Sequence, residues 1–176
     1  TVVDNFGTQL LLRSPSSGLD PPVVYSVLVR NTVASGPGKA IEVEPGVELV
    51  EDHNLLFRAE TTSRLIVLHP DPLTEVFYDG QEINEGVWTA ASGQGQGTWA
   101  IAADFADTVD YSPAADSTAI DLGSATAAPV EDLTANPRPR GAATDIGAHE
   151  AAHALANHRP WADPGPDRWG VAGHPL

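Results

Sequence analysis

Three asparagines set the frame of this chain. Asn5-Phe6, Asn31-Thr32-Val33 and Asn54-Leu55-Leu56 recur at intervals of 26 and 23 residues, each opening an apolar stretch, and a period between about 20 and 50 residues marks stacked repeats. Asn84 follows 30 residues after Asn54 and joins the series if a loop is inserted. Between these marks Ile41 and Val43 alternate with Glu42 and Glu44. After Pro45-Gly46, Val47 and Leu49 stand against Glu48 and Glu51. Such alternation on both sides of a Pro-Gly pair predicts two half-buried strands and a sharp corner. Similar short runs occupy 9–12, 23–28, 54–58, 65–68 and 76–78. The expected architecture is all-β: a parallel β-helix, a solenoid of about four to six coils, in which an inward Asn at each turn bonds buried backbone of the next coil.

Composition agrees with short strands. At 176 residues the chain is the size of one domain. Hydrophobic residues make up 41%, but aromatics only 6% with no Met, so the core falls to Val, Ile, Leu and Ala, punctuated by 16 Gly and 15 Pro. Nine basic residues against 24 acidic give a net charge of −15, which excludes a nucleic-acid partner requiring a basic face. Divalent cations and polysaccharides remain compatible with it. Without cysteine there is no disulfide, thiolate metal site or cysteine nucleophile. No apolar run approaches the roughly 20 residues of a membrane span. The start at Thr1 suggests a mature form or a fragment.

From 79 to 109 the pattern loosens. Gly93, Gly95 and Gly97, flanked by Trp88 and Trp99, lack the lysine and following helix of a phosphate cradle and predict a mobile loop.

Further on come Asp104-Phe105, Asp110-Tyr111, the run 117–123 (Ser-Thr-Ala-Ile-Asp-Leu-Gly), Asp132, Pro137-Arg138-Pro139, Gly141 and the run 145–150 (Asp-Ile-Gly-Ala-His-Glu). In that order they resemble the terminal module, called choice-of-anchor Q, that closes many secreted bacterial right-handed parallel β-helix proteins of the pectate-lyase-like architecture. The chain departs from that pattern in lacking a Pro between Asp104 and Phe105, and in having Thr118 and His149 where a Pro and an aromatic are commoner. The resemblance implies a right-handed coil, an extracellular or cell-surface location and a capping task, and names no reaction. It divides the chain into coils with an inserted loop (1–103), a closing module (104–150) and an extended tail (151–176). Upstream coils of the same chain would be its structural partner. Physically, Ser117 and Asp121 suit turn amides, and Arg138 is placed to pair with a carboxylate such as Asp145.

Candidate chemistry lies on the coil and at the module's end. Glu42, Glu44, Glu48, Glu51 and Asp52 form an acidic row with alternate residues roughly 7 Å apart. Pectate-lyase-like enzymes hold calcium in such a row and use a basic residue as base, for which Arg30, Arg58 and Arg64 are available. Paired carboxylates also admit glycoside hydrolysis. Glu42, Glu44, Trp88 and Trp99 are the residues expected to contact a polysaccharide or cell-envelope glycan, the aromatics by stacking on sugar rings. His53 and His69, beside apolar strands, read as satisfied structural positions. His149-Glu150-Ala151-Ala152-His153 matches the H-E-x-x-H zinc motif, with His158 or Asp163 as a third ligand. The motif needs a helix, whereas the 145–150 ending predicts a strand, so no metal site is assigned. The tail carries Trp161, Trp169 and His174 among Pro and Gly. The expected function is a non-catalytic cap or stalk with polysaccharide contact. The alternatives are a polysaccharide lyase or glycoside hydrolase on the acidic face, and a zinc hydrolase.

Overall fold

A computed structural model describes residues 2–3, 9–14, 24–58 and 64–151. Among these residues nine strands precede two short helices: β1 (Val2–Val3), β2 (Leu10–Leu12), β3 (Tyr25–Arg30), β4 (Val33–Ser35), β5 (Ile41–Val43), β6 (Val47–Asp52), β7 (Leu55–Phe57), β8 (Arg64–Asp71), β9 (Thr74–Asp79), α1 (Gly80–Asn84) and α2 (Val87–Ser92). They form three small sheets, ordered β1-β4-β7, β2-β5-β8-β9 and β3-β6. Every pairing is parallel except β8 with β9.

Corner chemistry fixes the register. Asn31 and His53 both adopt left-handed backbone, with φ of 50° and 51°, which breaks β3 from β4 and β6 from β7. Because Arg30 faces Asp52 and Val33 faces Leu55, these two residues occupy the same corner. Asn54 therefore stands opposite Thr32, not Asn31. Its amide does bridge neighbouring strands: Oδ1 accepts from the Thr32 amide at 2.9 Å and Nδ2 donates to the Val29 carbonyl at 3.0 Å. Asn84 belongs to another environment, bonding the backbone of Ala100 from the end of α1. Asn5 lies outside the described residues.

The expected β-helix of four to six coils is corrected by this topology. The strands make separate sheets of three, four and two members, and parallel stacking stops at β8, where the Pro72-Leu73 turn returns the chain antiparallel as β9. Residues 80–92, read as loop, form α1 and α2 instead. Downstream of α2 the described chain is bends and turns joined by isolated bridges, including Leu55 with Trp99 and Gly123 with Thr144. The strand expected at 145–150 is absent from that segment.

Two apolar clusters hold the described residues together. Val29, Ala34, Ile41, Val43, Leu49, Leu56, Ile66, Ile83 and Trp88 form the larger, uniting all three sheets with both helices. The smaller joins Val33 and Leu55 to Ala103, Ala119 and Ile146, with Trp99, Ile101 and Phe105 packed alongside. Val, Ile, Leu and Ala thus supply most of the interior, as the shortage of aromatics requires. Among the described residues no helix is long and apolar enough to cross a membrane.

Candidate functional site

The acidic row divides by strand parity. In β6 successive side chains point to opposite faces, so Glu51 shares the inward face of Val47 and Leu49 while Glu48 is exposed. Glu51 is only 1% exposed. Its carboxylate accepts hydrogen bonds from Trp88 Nε1 at 2.5 Å, Thr98 Oγ1 at 2.7 Å and Asn54 Nδ2 at 2.8 Å. Three neutral donors thereby satisfy the buried carboxyl oxygens, the condition under which such a polar group can stay inside.

Trp88, at 2% exposure, is a core residue whose N–H is used by Glu51 and whose ring lies 4.8 Å from that of Tyr78. Its expected role as a sugar platform is corrected accordingly. Trp99 is half-buried against the smaller cluster. The 93–97 loop is tied down: the Gly95 amide donates to the Glu51 carbonyl at 2.9 Å and the His53 amide to the Gln96 carbonyl at 2.8 Å.

Other members of the row are engaged at the surface. Glu42 Oε1 accepts from Lys39 Nζ at 2.5 Å and lies 3.1 Å from His69 Nε2. Glu44 accepts from Arg13 at 2.8 Å. Asp52 receives both arms of the Arg30 guanidinium and meets His53 Nδ1 at 2.9 Å. The Arg30 bonds, aided by His53 against the cost of burial, hold Asp52 below the usual carboxylate range. Of the arginines nominated as bases, Arg30 is used by Asp52 and Arg64 by Glu75. A groove of about 370 Å³ opens between β6 and the β8–β9 hairpin, lined by apolar Val43, Leu49, Leu68 and Val76 together with polar Glu48 and Gln94.

The closing segment builds a second polar centre. Asp132 accepts from the amides of Thr134, Asn136 and Glu150, each at 2.8 Å, and from Asn136 Nδ2 at 3.0 Å. Burial opposes ionisation there, but these donors outweigh it and drive the Asp132 carboxyl far below its ordinary value. Asp145 accepts from the amides of Asp121 at 2.8 Å and Ala151 at 2.6 Å. Glu150 accepts from the amides of Asp145 at 2.8 Å and Arg140 at 3.2 Å. Burial first, then the Asp145 charge, raise its carboxyl above the usual range, against those amides and Arg138. The expected Arg138–Asp145 side-chain pairing takes another form. Arg138 lies 3.6 Å from Glu150 and donates to the carbonyls of Asp145 at 3.2 Å and Gly147 at 2.8 Å.

This wiring takes the H-E-x-x-H residues for structure. No helix spans His149 to Ala151. His149 Nε2 sits 2.9 Å from the Asp110 carbonyl, and Glu150 is occupied by backbone amides. His153, His158, Asp163, Trp161, Trp169 and His174 lie outside the described residues. Among the described residues no group of three or more His, Cys, Asp or Glu side chains is arranged to hold a metal ion.

Comparison with protein-family models, curated proteins and solved structures returned no match.

Asp132 and Asp145 were expected as structural residues of the closing segment, whereas Glu51 was placed in the outward row and its burial was missed. Parity with Leu49 carries the signal for Glu51. For Asp132, the following Leu-Thr-Ala-Asn supplies an Asx-type turn whose amides need an acceptor.

Proposed function

We propose that the chain is a non-catalytic structural module of a secreted or cell-surface protein, in which residues 94–151 close exposed edges of the parallel sheets. One arrangement carries the reading: this segment continues the hydrogen bonding of β6 and β7. The Trp99 amide donates to the Asn54 carbonyl and the Leu56 amide to the Trp99 carbonyl, each at 2.9 Å. Farther along, Asn31 exchanges two bonds of 2.7 Å with Ser124, and the Gly147 amide donates to the Asn31 carbonyl at 2.8 Å. Ala103, Ala119 and Ile146 then bury Val33 and Leu55. Covering a strand edge in this way removes a template for aggregation.

The engagement of Glu42, Glu44, Glu51 and Asp52 by other side chains supports a structural rather than catalytic use of the acidic row. Resemblance of 104–150 to the closing modules of secreted bacterial proteins supports an extracellular or cell-surface setting. Polysaccharide contact, in this reading, falls to the exposed Glu48 of β6.

Incubation with a panel of acidic and neutral polysaccharides tests the non-catalytic part. The expected result is no new reducing or unsaturated ends, and turnover of any member would overturn it. Ile146→Asp places a charge in the closing cluster and is expected to cause aggregation. A soluble variant of unchanged stability would remove the closing role.

A further inference from the structure

The hairpin of β8 and β9 carries side chains that neither cluster covers. Residues 70–77 are all exposed, with Leu73 98% exposed at the turn, Phe77 44% and Val76 38%. β9 ends its sheet, paired on one side with β8 and, among the described residues, with no strand on the other. Natural edge strands are commonly blunted by lysine or proline, and Thr-Glu-Val-Phe-Tyr-Asp contains neither.

Its two faces differ in chemistry. Thr74, Val76 and Tyr78 share one face, where Val76 continues the row Val43–Leu68 and Tyr78 continues Ile41–Ile66. Glu75, Phe77 and Asp79 share the other, acidic face. Arg64 pairs with Glu75 there and lies 4.4 Å above the Phe77 ring. Asp71 adds a further negative charge at the turn. A second copy of the chain would bring another −15 to this edge, so charge complementarity favours a basic partner.

We propose that the free edge of β9 accepts an extended polypeptide segment of alternating apolar and basic residues, added as a further strand to β2-β5-β8-β9. Main-chain bonds along the edge supply affinity and the alternating faces supply selectivity. The partner's apolar side chains extend the Val76 and Tyr78 rows. Its basic side chains lie beside Glu75, whose carboxylate they share with Arg64, and toward Asp71 at the turn.

The test titrates the ¹⁵N-labelled chain with acetylated, amidated Lys-Val-Lys-Val-Lys-Val and follows amide hydrogen exchange. Exchange at residues 74–78 is expected to slow at least tenfold. Affinity is expected to fall at least tenfold for the same peptide N-methylated at alternate residues, for Glu-Val-Glu-Val-Glu-Val, and for the variants Glu75→Lys and Thr74→Lys, both at exposed positions. Equal binding of the N-methylated peptide would reduce the interaction to charge alone and overturn the proposal. Protection confined to other residues, or protection at 74–78 on self-association without peptide, would overturn it equally.

Discussion

Glu51 shows how one residue's parity decides a site. Reading it as part of an outward acidic row overlooked that position 51 falls two residues after buried Leu49, on the same strand face. Removing the carboxylate in Glu51→Ala leaves the N–H of Trp88, the hydroxyl of Thr98 and the amide of Asn54 without this acceptor inside the core. Unsatisfied buried groups cost about 1–3 kcal/mol each, so a loss of about 3 kcal/mol or more is expected in urea unfolding. Trp88→Phe, which removes one donor and keeps most of the ring, should lose about 1–2 kcal/mol. A double-mutant cycle should show the two coupled. Acid titration separates the closing segment's carboxylates by sign. Asp132 has a lowered folded pKa, so its stabilisation is present above the unfolded value of about 4 and is lost as pH falls through the folded value. Glu150 is raised, so its contribution is fully present below the unfolded value of about 4.3 and is lost as pH rises through the folded value. Melting temperature measured from pH 8 to pH 3 should therefore show a gain on mild acidification that Glu150→Gln abolishes. Asp132→Asn should reduce the steeper loss at the acid end. The Asp132 shift was legible only in part, since Thr134 and Asn136 are local donors but the Glu150 amide is distant, and the rise at Glu150 comes first from burial, which no local pattern announces.

At the scale of elements, the strand runs were legible and the helices were not. Alternation around Pro45-Gly46 specifies β5 and β6, and their inward residues are those the pattern selects: Ile41, Val43 and Leu49 are buried. The helices were obscured because five and six residues are too few for a 3.6-residue period to stand out. A local signal was nevertheless present in Asp79-Gly-Gln-Glu82. Asp79 caps the Glu82 amide at 2.9 Å while Glu82 bonds the Asp79 amide at 3.0 Å, the reciprocal capping box. Two left-handed glycines, Gly86 and the Gly95 of the expected mobile loop, perform distinguishable tasks. Gly86 has φ of 77° and nothing within 4 Å of an added Cβ, so Gly86→Ala should cost about 1 kcal/mol for left-handed backbone alone. Gly95 has the same φ, but its Cβ would come within 2.6 Å of Trp88 Cδ1. Gly95→Ala should therefore lose about 2 kcal/mol or more, since overpacking adds to the backbone term. Denaturant midpoints of the two variants, at unchanged slope, make the comparison direct.

For the whole molecule, the asparagine period conveyed that strands pair across distant sequence but misplaced which residues are equivalent. Asn31 aligns with His53 because the left-handed corner, not residue identity, sets the register. The hairpin return at β9 was hidden for a different reason: Pro72-Leu73 lacks the Asn-Gly or Asp-Gly signature of a two-residue hairpin turn, so nothing local announces that β9 folds back antiparallel on β8. Net charge, by contrast, is fully legible and has a consequence at this scale. With 24 acidic residues against 9 basic, self-repulsion opposes the compact state. The Debye length shrinks from about 10 Å at 0.1 M salt to about 3 Å at 1 M, so sodium chloride should raise the melting temperature across that range. Each kcal/mol recovered appears as about 2–4 °C in a domain of this size. Exposed pairs such as Arg13–Glu44 weaken under the same salt, but an isolated surface pair contributes only about 0–1 kcal/mol, less than relief of a −15 imbalance. A flat or falling melting temperature would mean that local pairs outweigh the global field. Calcium chloride supplies the sharper comparison. At equal ionic strength and millimolar concentration it is expected to match sodium chloride, because Glu42, Glu44 and Asp52 already hold Lys39, Arg13 and Arg30. An excess shift that saturates with calcium would instead show the acidic strand face exchanging those partners for a bound cation.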